Sequence, residues 1–183
     1  MTTKGGIIVL SGPPGVGKST VARLLADGGK LGDAVVRLHT DDFWGFIRRG
    51  AVPPFLPEAR RQNATVVGVI AGAAVGYAAG GYEVVVDGVV GPWFVDVYRE
   101  AARAAGVAAH YAVLRPDERT TLERGTTRTD HPLTDPGPIR AMYAQFTDLG
   151  PYEPHALDTT GLTAEESAEA MREALEAGHL RLA

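Results

Sequence analysis

Gly12-Pro13-Pro14-Gly15-Val16-Gly17-Lys18-Ser19 meets every fixed position of the pattern GxxxxGK[ST]. The flanks match what that pattern needs. Gly6 to Leu10 (GIIVL) has the apolar, β-branched run of a buried strand, and Lys18 to Asp27 has the composition of a helix. Glycine lets the backbone curl until successive N–H groups face one anion, and the start of a helix adds its partial positive charge. A lysine at the end of such a loop reaches the outer phosphates of a nucleotide, and the following hydroxyl ligates magnesium. Gly12, Gly15, Val16, Gly17, Lys18 and Ser19 are therefore expected to hold a nucleoside triphosphate, Lys18 to act in catalysis, and Thr20 to contact the α-phosphate. No Asn-Lys-x-Asp occurs in the chain, which points away from a guanine-specific switch and leaves ATP with Mg2+ as the expected pair.

Working outward, short β-branched runs alternate with helical ones. Ala34 to His39, Tyr82 to Asp87, Val107 to Leu114 and the short Pro154 to Asp158 read as strands. Pro57 to Gly80, Trp93 to Ala105, Pro116 to Arg124, Pro138 to Leu149 and Thr163 to Gly178 read as helices, the last opened by Thr163 and Glu166 at capping-box spacing. Alternation of this kind predicts an α/β fold: a five-stranded, mainly parallel sheet covered on both faces, in three layers. Residues 125–138 lack periodicity and read as a short mobile lid within a single domain spanning 1–183.

Composition narrows the function. The 183 residues carry 18 Lys plus Arg against 22 Asp plus Glu, a net charge of −4, so no broad basic surface suggests nucleic acid. There is no cysteine, which excludes disulfides and Cys-ligated zinc. Met1 to Gly5 carries one Lys, and Gly12 to Gly15 breaks the apolar run that follows. The start thus lacks the form of a secretory signal, and the cytoplasm is the expected compartment. Ala64 to Gly80 has no charge, and Gly68, Gly72 and Gly76 repeat at GxxxG spacing. The expectation is a helix pressed on the sheet through its glycines rather than a membrane span.

Two carboxylate positions stand where strands end, the edge at which open parallel sheets collect their functional groups. His39-Thr40-Asp41-Asp42-Phe43-Trp44 follows the second strand. A carboxylate there can take a proton from an acceptor hydroxyl or hold magnesium; its competing use is as a helix N-cap. Asp87 ends the strongest strand, where it can reach magnesium through water beside Ser19; its competing use is an Asp-Gly turn.

With these motifs in this order the chain resembles the small-molecule kinases of the P-loop class: chloramphenicol phosphotransferase, gluconate kinase, shikimate kinase and adenylate kinase. The resemblance rests on the P-loop, an Asp after strand two, Val84-Val85-Val86-Asp87, an Arg-containing lid and a late turn. It departs from the chloramphenicol enzymes at Pro13 and Pro14, where they carry small residues. It implies a phosphotransferase acting on a hydroxyl of a small molecule such as an antibiotic or sugar acid. Asp41 would be its base, Arg124 would cover the adenine, Arg128 would reach the phosphates from the lid, and the turn Asp158 to Gly161, with Thr160, would meet adenine. The segment after strand two would line the acceptor pocket, with Asp42, Phe43, Trp44, Arg48 and Arg61 as acceptor residues. Aromatic and guanidinium groups together suit an acceptor with a flat part and an anionic part; the same residues also serve as core and solvated surface. A nucleoside or nucleotide kinase, and a regulatory or toxin-type P-loop ATPase, are the alternatives.

Overall fold

The computed structural model describes residues 4–127 and 133–183. Five strands, β1 (Gly6–Ser11), β2 (Val35–His39), β3 (Glu83–Asp87), β4 (Ala108–Leu114) and β5 (Ala156–Leu157), form one sheet in the order β2-β3-β1-β4-β5. All four pairings are parallel, with Ile7 opposite both Val84 and Ala109 and His39 opposite Asp87. Seven α-helices accompany them among the described residues: α1 (Lys18–Asp27), α2 (Thr40–Gly45), α3 (Arg60–Ala79), α4 (Pro92–Ala105), α5 (Glu118–Thr127), α6 (Pro136–Ala144) and α7 (Ala164–Glu176).

Every residue of β1 is buried, as its unbroken apolar run requires of a strand covered on both faces. Alternate side chains feed two cores. Ile7, Val9, Val84 and Val86 pack with Val67, Ile70 and Ala74 of α3 and Val95 and Tyr98 of α4. Ile8, Leu10 and Val85 pack with Val21 and Leu25 of α1 and Met171 of α7. The expected three-layer α/β architecture is thus present. A shallow cleft of about 240 Å3 between the far end of α1 and α7, lined by Leu24, Leu31, Ala168 and Arg172, faces away from the carboxyl edge of the sheet.

Several boundaries differ from the sequence expectation. The Asp41 segment forms its own short helix α2. The turn Pro57–Ala59 is 3-10 and precedes α3. The last strand shrinks to two residues because Gly150–His155 forms a 3-10 turn just before it. Gly125 does not break α5, which continues to Thr127, and α6 begins at Pro136, capped by the Asp135 carboxylate on Gly137 N. The expected lid 125–138 is therefore helical at both ends. The capping box of α7 is present in both directions, at 2.8 Å (Thr163 N to Glu166 Oε2) and 3.1 Å (Glu166 N to Thr163 Oγ1).

The glycines of α3 are not where the spacing put them. Gly68, Gly72 and Gly76 are exposed, with no atom within 4 Å of where a Cβ would sit. Val66, Val67, Ile70, Ala71, Ala74 and Ala78 face the core instead. The span Pro57–Ala79 is long and apolar enough to cross a membrane by length and composition alone; here its larger side chains lie along the sheet.

Candidate active site at the carboxyl edge of the sheet

β1 delivers the chain into the loop 12–19. Gly12, Gly15 and Gly17 have φ of +140°, +89° and +94°, a region that side chains disfavour. A Cβ on Gly12 would lie 2.4 Å from the Leu114 carbonyl oxygen, and one on Gly15 would lie 2.7 Å from Gly125 Cα. The loop is therefore held between β4 and α5 by backbone-to-backbone approach. Gly125, buried within α5, is the counterpart of that approach. α1 then starts at Lys18 with no side-chain cap and no acidic residue in its first turn, so its leading N–H groups and positive end face an approaching anion. Lys18 Nζ donates to the Pro13 carbonyl at 2.8 Å, which folds it along the loop. Ser19 and Thr20 are exposed at the head of the helix.

Asp87 has no exposed surface, yet it is ionised. Burial would push its carboxyl up. Hydrogen bonds from His39, Arg37 and Ser19 overcome that and hold it below the usual carboxylate range. Arg37 Nε donates to Oδ1 at 2.9 Å, and His39 Nδ1 lies 3.0 Å from Oδ2. Because the ionised carboxylate can only accept, Nδ1 carries the proton. The same bond to Asp87 raises the His39 pKa against the opposing effect of burial. On its other side, His39 Nε2 lies 3.8 Å from Asp41 Oδ2. Arg37 and His39 escaped the sequence reading. The available signal was their i, i+2 spacing, which puts both on one face of β2, but the facing partner depends on register.

The turn after Asp87 is fixed by Ser11, whose Oγ donates to the Val90 carbonyl at 2.7 Å and accepts from Val90 N at 2.8 Å. Tyr111 OH donates to the same carbonyl at 2.7 Å. Gly88 is required here, since a Cβ would overlap Thr40. The corner after β2 and the turn after β3 therefore touch.

Magnesium fits this donor set. The ion is typically held by one or two carboxylates, a hydroxyl, waters and substrate phosphates. Ser19 beside Asp87 supplies the protein's share, and the Asp87 carboxylate, with about four lone-pair sites for three donors, keeps acceptor capacity. Among the described residues no group of three or more His, Cys, Asp or Glu stands ready to hold a metal without such a substrate.

Asp41 and Asp42 occupy the first turn of α2 and are exposed. Neither is the N-cap; that position is His39, without a side-chain cap bond. Phe43 and Trp44 are half-buried against the core. The Trp44 indole donates to Asn63 Oδ1 at 3.0 Å, so much of these two rings serves packing. Gln62 bonds both backbone groups of Val52, at 2.9 and 2.7 Å, and Asn63 donates to the Pro54 carbonyl at 2.7 Å. The Pro-rich stretch is thus strapped to the first turn of α3. It presents Phe55, 77% exposed, and Phe46 at the end of α2 is 70% exposed. Arg48, Arg49, Arg60 and Arg61 are exposed around it, and none has an ion-pair partner among the described residues.

At the opposite end, Arg124 Nη2 donates to the Leu162 carbonyl at 2.9 Å, and Thr160 Oγ1 accepts from Asp117 N at 2.8 Å. The two residues expected at the adenine are therefore brought together by the turn after β5 and the start of α5. Arg115 and Arg119 are taken up by ion pairs with Glu153 and Glu123. Arg128 and His131 lie outside the described residues.

The sequence matches the family described as AAA domain over residues 7–149. None of the curated proteins matches the chain. Solved structures with the same fold include the Mycobacterium tuberculosis APS kinase in complex with AMPPNP and APS (TM-score 0.71, 17% identity, 94% of this chain and 98% of that one). They also include the Deinococcus radiodurans tunicamycin resistance protein (TM-score 0.63, 21% identity, 98% and 99%). The Acinetobacter baumannii shikimate kinase in complex with shikimate is a third (TM-score 0.63, 18% identity, 96% of each chain). The fold is therefore that of P-loop kinases.

Proposed function

This chain belongs to the AAA domain family, and from its site we propose that it is a cytoplasmic, ATP- and magnesium-dependent kinase that phosphorylates a hydroxyl of a small molecule. The observation that carries this is the P-loop serine bonded to a buried, ionised Asp87, with a second carboxylate, Asp41, one corner away. A hydrolytic switch needs the first feature; a kinase needs both.

Lys18 leaves the Pro13 carbonyl and pairs with the outer phosphates, while the N–H groups of the loop and α1 hold the rest. Magnesium, when bound, would supply positive charge against the phosphates during transfer. Ser19 and Asp87 are the residues that would hold it. Asp41 orients the acceptor hydroxyl and takes its proton as the new oxygen–phosphorus bond forms and ADP departs. Arg124 and the turn with Thr160 bound the adenine, and Arg128 is the residue assigned to the phosphates. Asp42, Arg48 and Arg61, with the half-buried Phe43 and Trp44, line the acceptor side. The unpaired guanidinium groups of 48–61 favour an acceptor with an anionic part, since guanidinium pairs well with phosphate or carboxylate.

Lys18→Ala is the direct test. A folded variant should lose on the order of a thousandfold or more in ATP turnover. Turnover within a few-fold of wild type would remove the proposal.

A further inference from the structure

We propose that His39 is a positioning residue that ties the acceptor-side carboxylate Asp41 to the metal-side carboxylate Asp87, setting the separation of the two halves of the site. The inference rests on the kinase reading above, which gives the two carboxylates their roles.

The geometry has three parts. β2 and β3 place His39 opposite Asp87 in register, which brings Nδ1 to 3.0 Å from Oδ2. His39 is also the residue from which α2 starts, in extended backbone (φ −83°, ψ 118°). The chain then turns so that Asp41, two residues on, comes back beside the same ring, with Oδ2 3.8 Å from Nε2. One planar ring therefore faces a different carboxylate with each nitrogen.

Matching the charge of Asp87 does not by itself explain this arrangement. Arg37 already donates to its Oδ1, and a lysine or second arginine at position 39 would serve as well. What a long cation lacks is a rigid second nitrogen at a fixed distance from the first. Asp41 is mostly exposed, with a side-chain accessibility of 60%, so contacts on the protein side decide which rotamer it favours. A base works when its oxygen stays within hydrogen-bond reach of the hydroxyl. The ring sits where it can bias Asp41 toward the phosphates, anchored to a buried carboxylate that Arg37 also holds.

The test uses the full chain and two variants that divide the ring's functions. His39→Asn keeps a donor near the Nδ1 position and loses the reach to Asp41. His39→Gln keeps a donor near the Nε2 position and loses Asp87. ATP turnover with water as acceptor and binding of Mg-AMPPNP are measured for both, for Asp41→Asn, and for His39→Asn with Asp41→Asn. His39→Asn should bind Mg-AMPPNP within about twofold of wild type and lose on the order of ten- to a hundredfold in turnover, the scale of a misplaced group. The double variant should be no slower than Asp41→Asn alone, because His39 acts through Asp41. A His39→Asn enzyme as fast as wild type overturns the proposal, as does a double variant in which the two losses multiply.

A readout without turnover accompanies these. In protein labelled with 15N-histidine, Asp41→Asn should move the His39 Nε2 resonance, and Asp87→Asn should move Nδ1. An Nε2 signal indifferent to Asp41→Asn overturns the proposal even if turnover falls. If Mg-AMPPNP fails to bind wild type, the kinase reading is what has failed, and the labelled ring still reports whether His39 joins the two carboxylates.

Discussion

A carboxylate without exposed surface is costly unless its charge is matched, and Asp87 is matched twice, by Arg37 and His39. The pairing makes stability depend on pH from both sides. The Asp87 pKa is lowered, so its contribution is present above the ordinary carboxylate value and is lost as pH falls through the lowered one. The His39 pKa is raised, so its contribution is full below the ordinary 6.5 and is lost as pH rises through the raised value. On the alkaline side, wild type should therefore lose the charge assistance of one hydrogen bond, about 1 kcal/mol, or about 2–4 °C of Tm for a chain of this size. Thermal unfolding across that range should show the decline in wild type and a flatter profile in His39→Gln. An unchanged slope in the variant would place the titrating group elsewhere. Asp87 could be read from the sequence because a carboxylate closing a Val-rich strand is conspicuous. Arg37 and His39 could not, because polar residues in a strand look like its solvent face until the neighbouring strand and its register are known.

Helix α3 shows what a spacing can and cannot say. Gly68, Gly72 and Gly76 mark one face of the helix, but the four-residue interval does not say which way that face turns. The opposing stripe of Val66, Val67, Ile70 and Ala74 has side chains to bury, and burial of apolar area decides the rotation. Glycine has none, so turning it outward costs least. With no neighbour within 4 Å of any of the three positions, Gly→Ala at each should stabilise by about 0.8–1 kcal/mol through helix propensity. Denaturant unfolding of the triple variant checks this, and a gain near zero would mean that the face is covered. Gly15 and Gly125 behave differently. Gly15→Ala puts a side chain at φ +89° against the backbone of α5. It should cost on the order of 1–3 kcal/mol and weaken Mg-AMPPNP binding, measured by calorimetry. Gly125→Ala meets mainly the tip of Ile139, at 2.9 Å, a flexible obstacle that can shift. Its penalty should be the smaller of the two. The P-loop string named the glycines of the loop, whereas Gly125 fell in the stretch read as a lid because the sequence did not show what crossed it.

Across the whole molecule, alternating strands and helices announced a parallel sheet and put the chemistry at its carboxyl edge. The order β2-β3-β1-β4-β5 was not legible, since the spacing of strands along a chain does not say which become neighbours. That order makes β1 the best protected element, buried throughout and bonded on both flanks. In hydrogen exchange its amides should open only with global unfolding, while those of the loop 12–19 should slow markedly when Mg-AMPPNP is added. Loop amides indifferent to nucleotide would contradict the site. The same placement has a consequence in time. As the chain is synthesised, Ile7 has no partner until Val84 has emerged, and no second one until Ala109. The nucleotide-binding loop hangs from a strand that waits for both. Long-range parallel pairing is slow to form, so an apolar strand stays unpaired until synthesis nears its midpoint, and its second flank stays open until β4 has arrived.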